Sequence, residues 1–149
     1  MSISIIKNRN FGFLWAGHLI SHAGDAVYMI ALPWLMLELT GSKILTSLVA
    51  TSAFLPAVIF GLTAGVIVDR YNRKWIMIYS DIVRALIVVM IPVSIIFNFI
   101  SPIFIGCVTF LLSSFATFFY PARDSLIPHI TTPEELPSAN SAISISGQM

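Results

Sequence analysis

Between Ile44 and Val68, and again between Ala85 and Ala122, the sequence contains no Asp, Glu, Lys or Arg. A soluble fold needs charge often enough to keep one face of each element in water, and runs of this length do not supply it. Charged residues make up 10% of the 149 positions, against roughly 25% in soluble domains. Hydrophobic residues reach 57% and mean hydropathy is +0.90. A lipid-facing surface removes the conflict, because apolar side chains there need no cover by protein. A net charge of +1 without a clustered basic face argues against nucleic acid as a partner. The single cysteine, Cys107, excludes an internal disulfide.

A membrane-crossing helix needs about 20 mainly apolar residues. The first uncharged run is one such helix, over 45–68. The second is too long for one and must turn, best at Asn98-Phe99-Ile100-Ser101-Pro102, where two polar residues precede a proline suited to a helix start. This gives spans over 75–97 and 103–120. Phe11 to Leu37 makes the first span, with His18, His22 and Asp25 inside it. Beyond Tyr120 the prolines 121, 128 and 133 predict a surface loop over 121–137, carrying a short helix with Thr132 as cap and Glu135 in the capping-box position. The weakly apolar 138–149 reads as the start of a fifth span. The predicted fold class is therefore all-α: a polytopic membrane protein of four spans and part of a fifth. The first span is too long for a signal-peptide core, which predicts a retained helix.

Orientation follows from the cations near the span ends. Lys7, Arg9, Arg70, Arg73, Lys74 and Arg123 fall on one side, and Lys43 alone on the other. Both termini and the loop around Asn72 are expected in the cytoplasm of a multi-pass cell-membrane protein.

The sharpest local pattern is Gly65-Val66-Ile67-Val68-Asp69-Arg70-Tyr71-Asn72-Arg73-Lys74. A generic cytoplasmic loop explains its cations but not Asp69, nor the glycine four residues before it. The pattern resembles the loop between helices two and three of the major facilitator superfamily: glycine, three residues, Asp-Arg, one residue, glycine, two basic residues. Asn72 stands where the family has glycine; asparagine tolerates positive φ next best, so a tight turn is expected at some cost. Arg9-Asn10-Phe11, Gly24-Asp25, Ala31-Leu32-Pro33-Trp34, Asp81 with Arg84, Pro121-Ala122-Arg123 and Leu126-Ile127-Pro128 are similar to the drug-efflux branch that includes macrolide and siderophore exporters.

The resemblance implies a secondary transporter of twelve helices in two halves, working by alternating access. The chain would then be the N-terminal part of the first half, unable to transport without the missing C-terminal half. It implies that Gly65, Asp69, Arg70, Arg73 and Lys74 form a conformational-switch loop, with Asp69 facing the positive end of a helix in that other half. Gly61 and Gly65 form a small-xxx-small pair that lets a helix approach closely.

Asp25 lies near the middle of the first span, where a carboxylate costs about 2.5 to 3.5 kcal/mol on insertion scales. It is the candidate for coupling protons to export of a small amphipathic compound, against a structural reading in which Ser21 or His22 caps it. Asp81 and Arg84, three apart on one helical face, predict a buried charge pair connected to the Asp69 loop. His18 and His22 are two possible ligands without a third, so no metal site is expected, and no cofactor. No nucleophile–base set or phosphate-binding glycine loop points to an enzyme. Two other readings remain at this point: a four-helix small multidrug transporter acting as a dimer, and a non-transporting membrane subunit.

Overall fold

A computed structural model describes the backbone of residues 9–147 and the side chains of 11–147; Lys7 and the side chain of Arg9, used above for orientation, lie outside it. The described residues form helices α1 (Arg9–Thr40), α2 (Lys43–Ser52), α3 (Leu55–Arg70), α4 (Arg73–Ile96), α5 (Pro102–Ile130) and α6 (Leu136–Ser146). Four stretches are long and apolar enough to cross a membrane: Phe11–Thr40, Lys43–Arg70, Arg73–Ile96 and Pro102–Ile130. α2 and α3 share the second of these. They part at Pro56, whose ring nitrogen cannot donate to the turn before it; Phe54 N–H bonds Thr51 C=O instead, a tighter turn.

Local chemistry sets the ends. Gly41 takes φ +64° and Ser42 Oγ accepts from Leu45 N–H to start α2. Asn98 takes φ +55° after α4, and Ser101 Oγ accepts from Phe104 N–H just before Pro102. The break read from the sequence at 98–102 is therefore the observed turn.

The stretch after Tyr120 differs from expectation. α5 continues to Ile130 straight through Pro121 and Pro128, so 121–130 is helix rather than loop. The prolines signal a stop, but packing overrides them: Ala122 and Ile127 are buried, and Ile127 joins Phe11, Ala139, Ala142 and Ile143 in one apolar cluster. The expected cap is also displaced. Glu135 does reach back to Thr132 N–H at 3.2 Å, but α6 begins at Leu136 and runs without interruption into the residues read as a fifth span. Trp15 Nε1 donates to Ser146 Oγ at 2.9 Å, tying α6 to α1.

α5 is the central helix. One third (33%) of its most apolar window is buried, against 17% in each other span, and it packs on α1, α2, α3 and α4. Its buried face carries Thr109, Ser113, Ser114, Ala116 and Ala122, small enough for neighbouring helices to come close. A second apolar cluster, with Leu32, Met36, Ile87, Ile105 and Leu112, closes the opposite end. Between the two clusters lie the charged groups.

Candidate functional site

Ser21, Asp25 and Tyr28 fall on one face of α1 at spacings of four and three. Asp81 and Arg84 do the same on α4, and the two faces meet. Arg84 is the hub. One guanidinium nitrogen forms an ion pair with Asp25 Oδ1, and the other donates to Asp81 Oδ1 at 3.4 Å. Ser21 Oγ donates to that same Asp81 oxygen at 3.0 Å, and Tyr120 of α5 donates its hydroxyl to Asp25 Oδ2 at 2.9 Å. The Arg84 guanidinium also lies 6.0 Å from the centre of the Tyr28 ring. Arg84 is only 6% exposed, so both ions of the Asp25–Arg84 pair lose water and depend on each other.

Two expectations change here. Asp25 is partnered by α4 and α5 rather than capped by Ser21 or His22 on its own helix. Asp81 and Arg84 connect to α1, with no side-chain hydrogen bond or ion pair to Asp69 among the described residues, and Asp81 is half-exposed rather than buried.

One turn away, His18 and His22 stack with ring centres 5.6 Å apart. Arg123 Nη1 lies 3.1 Å from His18 Nε2, and a guanidinium can only donate, so the imidazole accepts. Arg123 is held in turn by Asp124 at 2.6 Å and lies 5.2 Å over the Tyr120 ring. Tyr120 thus touches both charged clusters. The sequence suggests only an interfacial anchor at that position.

In the loop, Asn72 has φ −68° and its side chain accepts from Lys74 N–H at 3.1 Å. The turn needs no positive φ: asparagine here caps α4 instead of substituting for glycine. Arg73 Nη1 lies 3.1 Å from His129 Nε2, while His129 Nδ1 lies 3.0 Å from Ser125 C=O. The carbonyl requires Nδ1 to donate, which leaves Nε2 to accept from Arg73. Asp69 and Arg70 are exposed and have no side-chain partner among the described residues. A Cβ added at Gly61 or Gly65 would meet no atom within 4 Å, so this face of α3 is open.

A cavity of about 580 Å³ lies between α1, α2, α3 and α5. Asp25, His22 and Tyr120 form part of its polar wall, Met29, Leu32 and Phe54 part of its apolar one. It is large enough for a drug-sized molecule.

The family model described as transmembrane secretion effector matches residues 2–148. The chain is 31% identical over 127 residues to macrolide efflux protein A of Streptococcus pyogenes, covering 85% of this chain and 31% of that protein. It is 32% identical over 114 residues to the multidrug efflux pump Tap of Mycolicibacterium fortuitum, covering 74% and 28%. To the uncharacterized MFS-type transporter YkuC of Bacillus subtilis it is 31% identical over 138 residues, covering 92% and 32%. The chain therefore spans about a third of the length of these relatives. No solved structure matches it significantly.

Proposed function

The chain belongs to the transmembrane secretion effector family, in the drug-exporter-like branch of the major facilitator superfamily, and from that premise we propose that it serves proton-coupled efflux of small amphipathic compounds. Membership makes it a multi-pass membrane protein of a transporter family. Efflux itself is inferred from relatives of which the matched residues cover 28% to 32%, and it requires the helices of a complete transporter. The N-terminus and the Asn72 loop face the cytoplasm in this reading, by the bias of cations around the spans.

The observation that carries the proposal is Asp25 on the cavity wall, bonded to Arg84 and Tyr120. Coupling needs a group whose charge changes as the cavity alternates between wet and dry. An ionised Asp25 is tolerable while Arg84 opposes it; when alternation separates the two, the neutral acid becomes the tolerable form. Proton uptake and the breaking of the pair are then one event. Gly65, Asp69, Arg70, Arg73 and Lys74 serve as the switch loop. The exposure of Asp69 supports this, since it leaves the carboxylate free for a partner outside the described residues.

The test is efflux in membrane vesicles under an imposed pH gradient, with protein expressed from its complete reading frame. Asp25→Asn should retain substrate binding and lose pH-driven efflux; Asp25→Glu should keep partial activity with a shifted pH optimum. Normal efflux by Asp25→Asn, with unchanged pH dependence, would make the carboxylate structural.

A further inference from the structure

Thr109, Ser113, Thr117 and Tyr120 all line the cavity that holds Asp25, and all lie on α5 at spacings of four, four and three. At those spacings they form a single column of hydroxyls along one face of the helix. The facing walls from α2 and α3 are apolar, and α1 adds His22 and Tyr28 beside Asp25.

The hydrogen-bond pattern of the column is specific. Thr109 Oγ1 donates to Ile105 C=O at 2.9 Å, Thr117 Oγ1 to Ser113 C=O at 2.9 Å, and Tyr120 to Asp25 at 2.9 Å. Each of these three oxygens has spent its hydrogen and retains lone pairs. Ser113 differs: it is 9% exposed, lines the cavity, and its hydroxyl has no hydrogen-bond partner among the described residues. Its hydrogen is therefore available to a group inside the cavity.

A ligand filling this cavity therefore meets mostly acceptors on α5, and must bring donors of its own. It meets no uncompensated charge, because the Asp25 carboxylate is already held by Arg84 and Tyr120. A permanently charged ligand would lose its water without gaining a counter-ion. A molecule with only ketone or ether oxygens brings no hydrogen to the Thr109, Thr117 and Tyr120 oxygens and leaves these acceptors unmatched.

We propose that the hydroxyl column of α5, with Ser113 and Thr117 at its centre, selects uncharged amphiphiles that carry free hydroxyl groups on one edge. The proposal rests on the reading of the chain as part of an efflux transporter, but concerns recognition rather than coupling. It makes Ser113 and Thr117 specificity-determining residues that act independently of Asp25.

The experiment uses protein from the complete reading frame, purified into lipid nanodiscs, and equilibrium binding of three probes. Digoxin is an uncharged steroid glycoside with several hydroxyls. Progesterone is a steroid with ketones only. Tetraphenylphosphonium is an apolar cation without hydrogen-bond donors. Digoxin should bind at least tenfold more tightly than either of the others. Ser113→Ala with Thr117→Val, both close in shape to the native side chains, should weaken digoxin roughly tenfold and leave the other two unchanged. A second readout does not depend on affinity: with Cys107 replaced by serine, Ser113→Cys should react with a small thiol reagent and be protected by digoxin. Equal binding of progesterone or tetraphenylphosphonium, undiminished digoxin binding by the double variant, or an unprotected cysteine would overturn the proposal. Efflux of the same probes from vesicles is scored separately. Hydroxyl-dependent binding without efflux counts against transport alone; efflux confined to the cation counts against the proposed selectivity alone.

Discussion

Arg84 on α4 and Asp25 on α1 form an ion pair with side chains only 7% and 13% exposed, 59 positions apart in the sequence. Removing one partner of such a pair leaves a buried, uncompensated charge, which costs about 3 to 5 kcal/mol. Replacing both with neutral residues of similar shape removes the attraction and the desolvation penalty together. Arg84→Leu and Asp25→Ala should therefore each lower thermal stability strongly, while Asp25→Asn combined with Arg84→Gln should recover most of the loss. Melting curves in nanodiscs measure this. A double variant as unstable as the single ones would mean that the pair does not act as a unit.

The tie between α1 and α6 is smaller. Trp15→Phe keeps the apolar ring in place and removes the N–H that reaches Ser146. The expected cost is about 1 kcal/mol, read as faster proteolysis in the 131–135 connection. Proteolysis at the unchanged rate would show that α6 is held by its apolar contacts alone.

The sequence carries the spans well because lipid imposes a length and an apolar composition on each. Turn chemistry at Gly41–Ser42 and Asn98–Pro102 is equally readable, since it depends on adjacent residues only. The site is less so. Asp25, Asp81 and Arg84 stand out as charges in apolar helices, but their pairing depends on how α1 meets α4, and same-helix spacing carries no information about that. Tyr120 and Ser113 are hidden for a different reason: aromatic and hydroxyl residues are common in membrane helices, and only a three-dimensional cavity separates these from the rest. Hydroxyls at 109, 113 and 117 in an uncharged run are the one signal that could have marked that face. The prolines at 121 and 128 mislead, because a stop signal derived from helices in water is weaker where packing supports the turn.

The Arg73–His129 contact joins the loop between α3 and α4 to the end of α5 and requires an acceptor at His129. His129→Gln retains one, whereas His129→Lys sets two cations face to face. Amide hydrogen exchange at 71–75 should be little changed in the first variant and faster in the second. Identical exchange in both would show that this contact does not restrain the loop.

Topology is tested at the same loop. With the exposed Cys107 replaced by serine, Asn72→Cys should react with an impermeant thiol reagent only after cells are opened. Labelling from outside intact cells would invert the whole orientation.

The open face of α3 gives a prediction whose sign depends on context. Nothing lies within 4 Å of a Cβ built at Gly61 or Gly65, so alanine fits both places in the chain as described. Glycine loses more backbone freedom than alanine when a helix forms, by roughly 0.5–1 kcal/mol per position. Gly61→Ala with Gly65→Ala should therefore leave the chain by itself at least as stable as before. If these glycines instead admit the backbone of a helix from the rest of a complete transporter, two added methyl groups hold that helix away. In protein from the complete reading frame the same variant should then reduce efflux, although the insertion of the four spans is unchanged. Stability in the isolated chain and efflux in the complete protein are the two measurements. A variant that is stable in the first and fully active in the second would show that no helix closes on this face during transport.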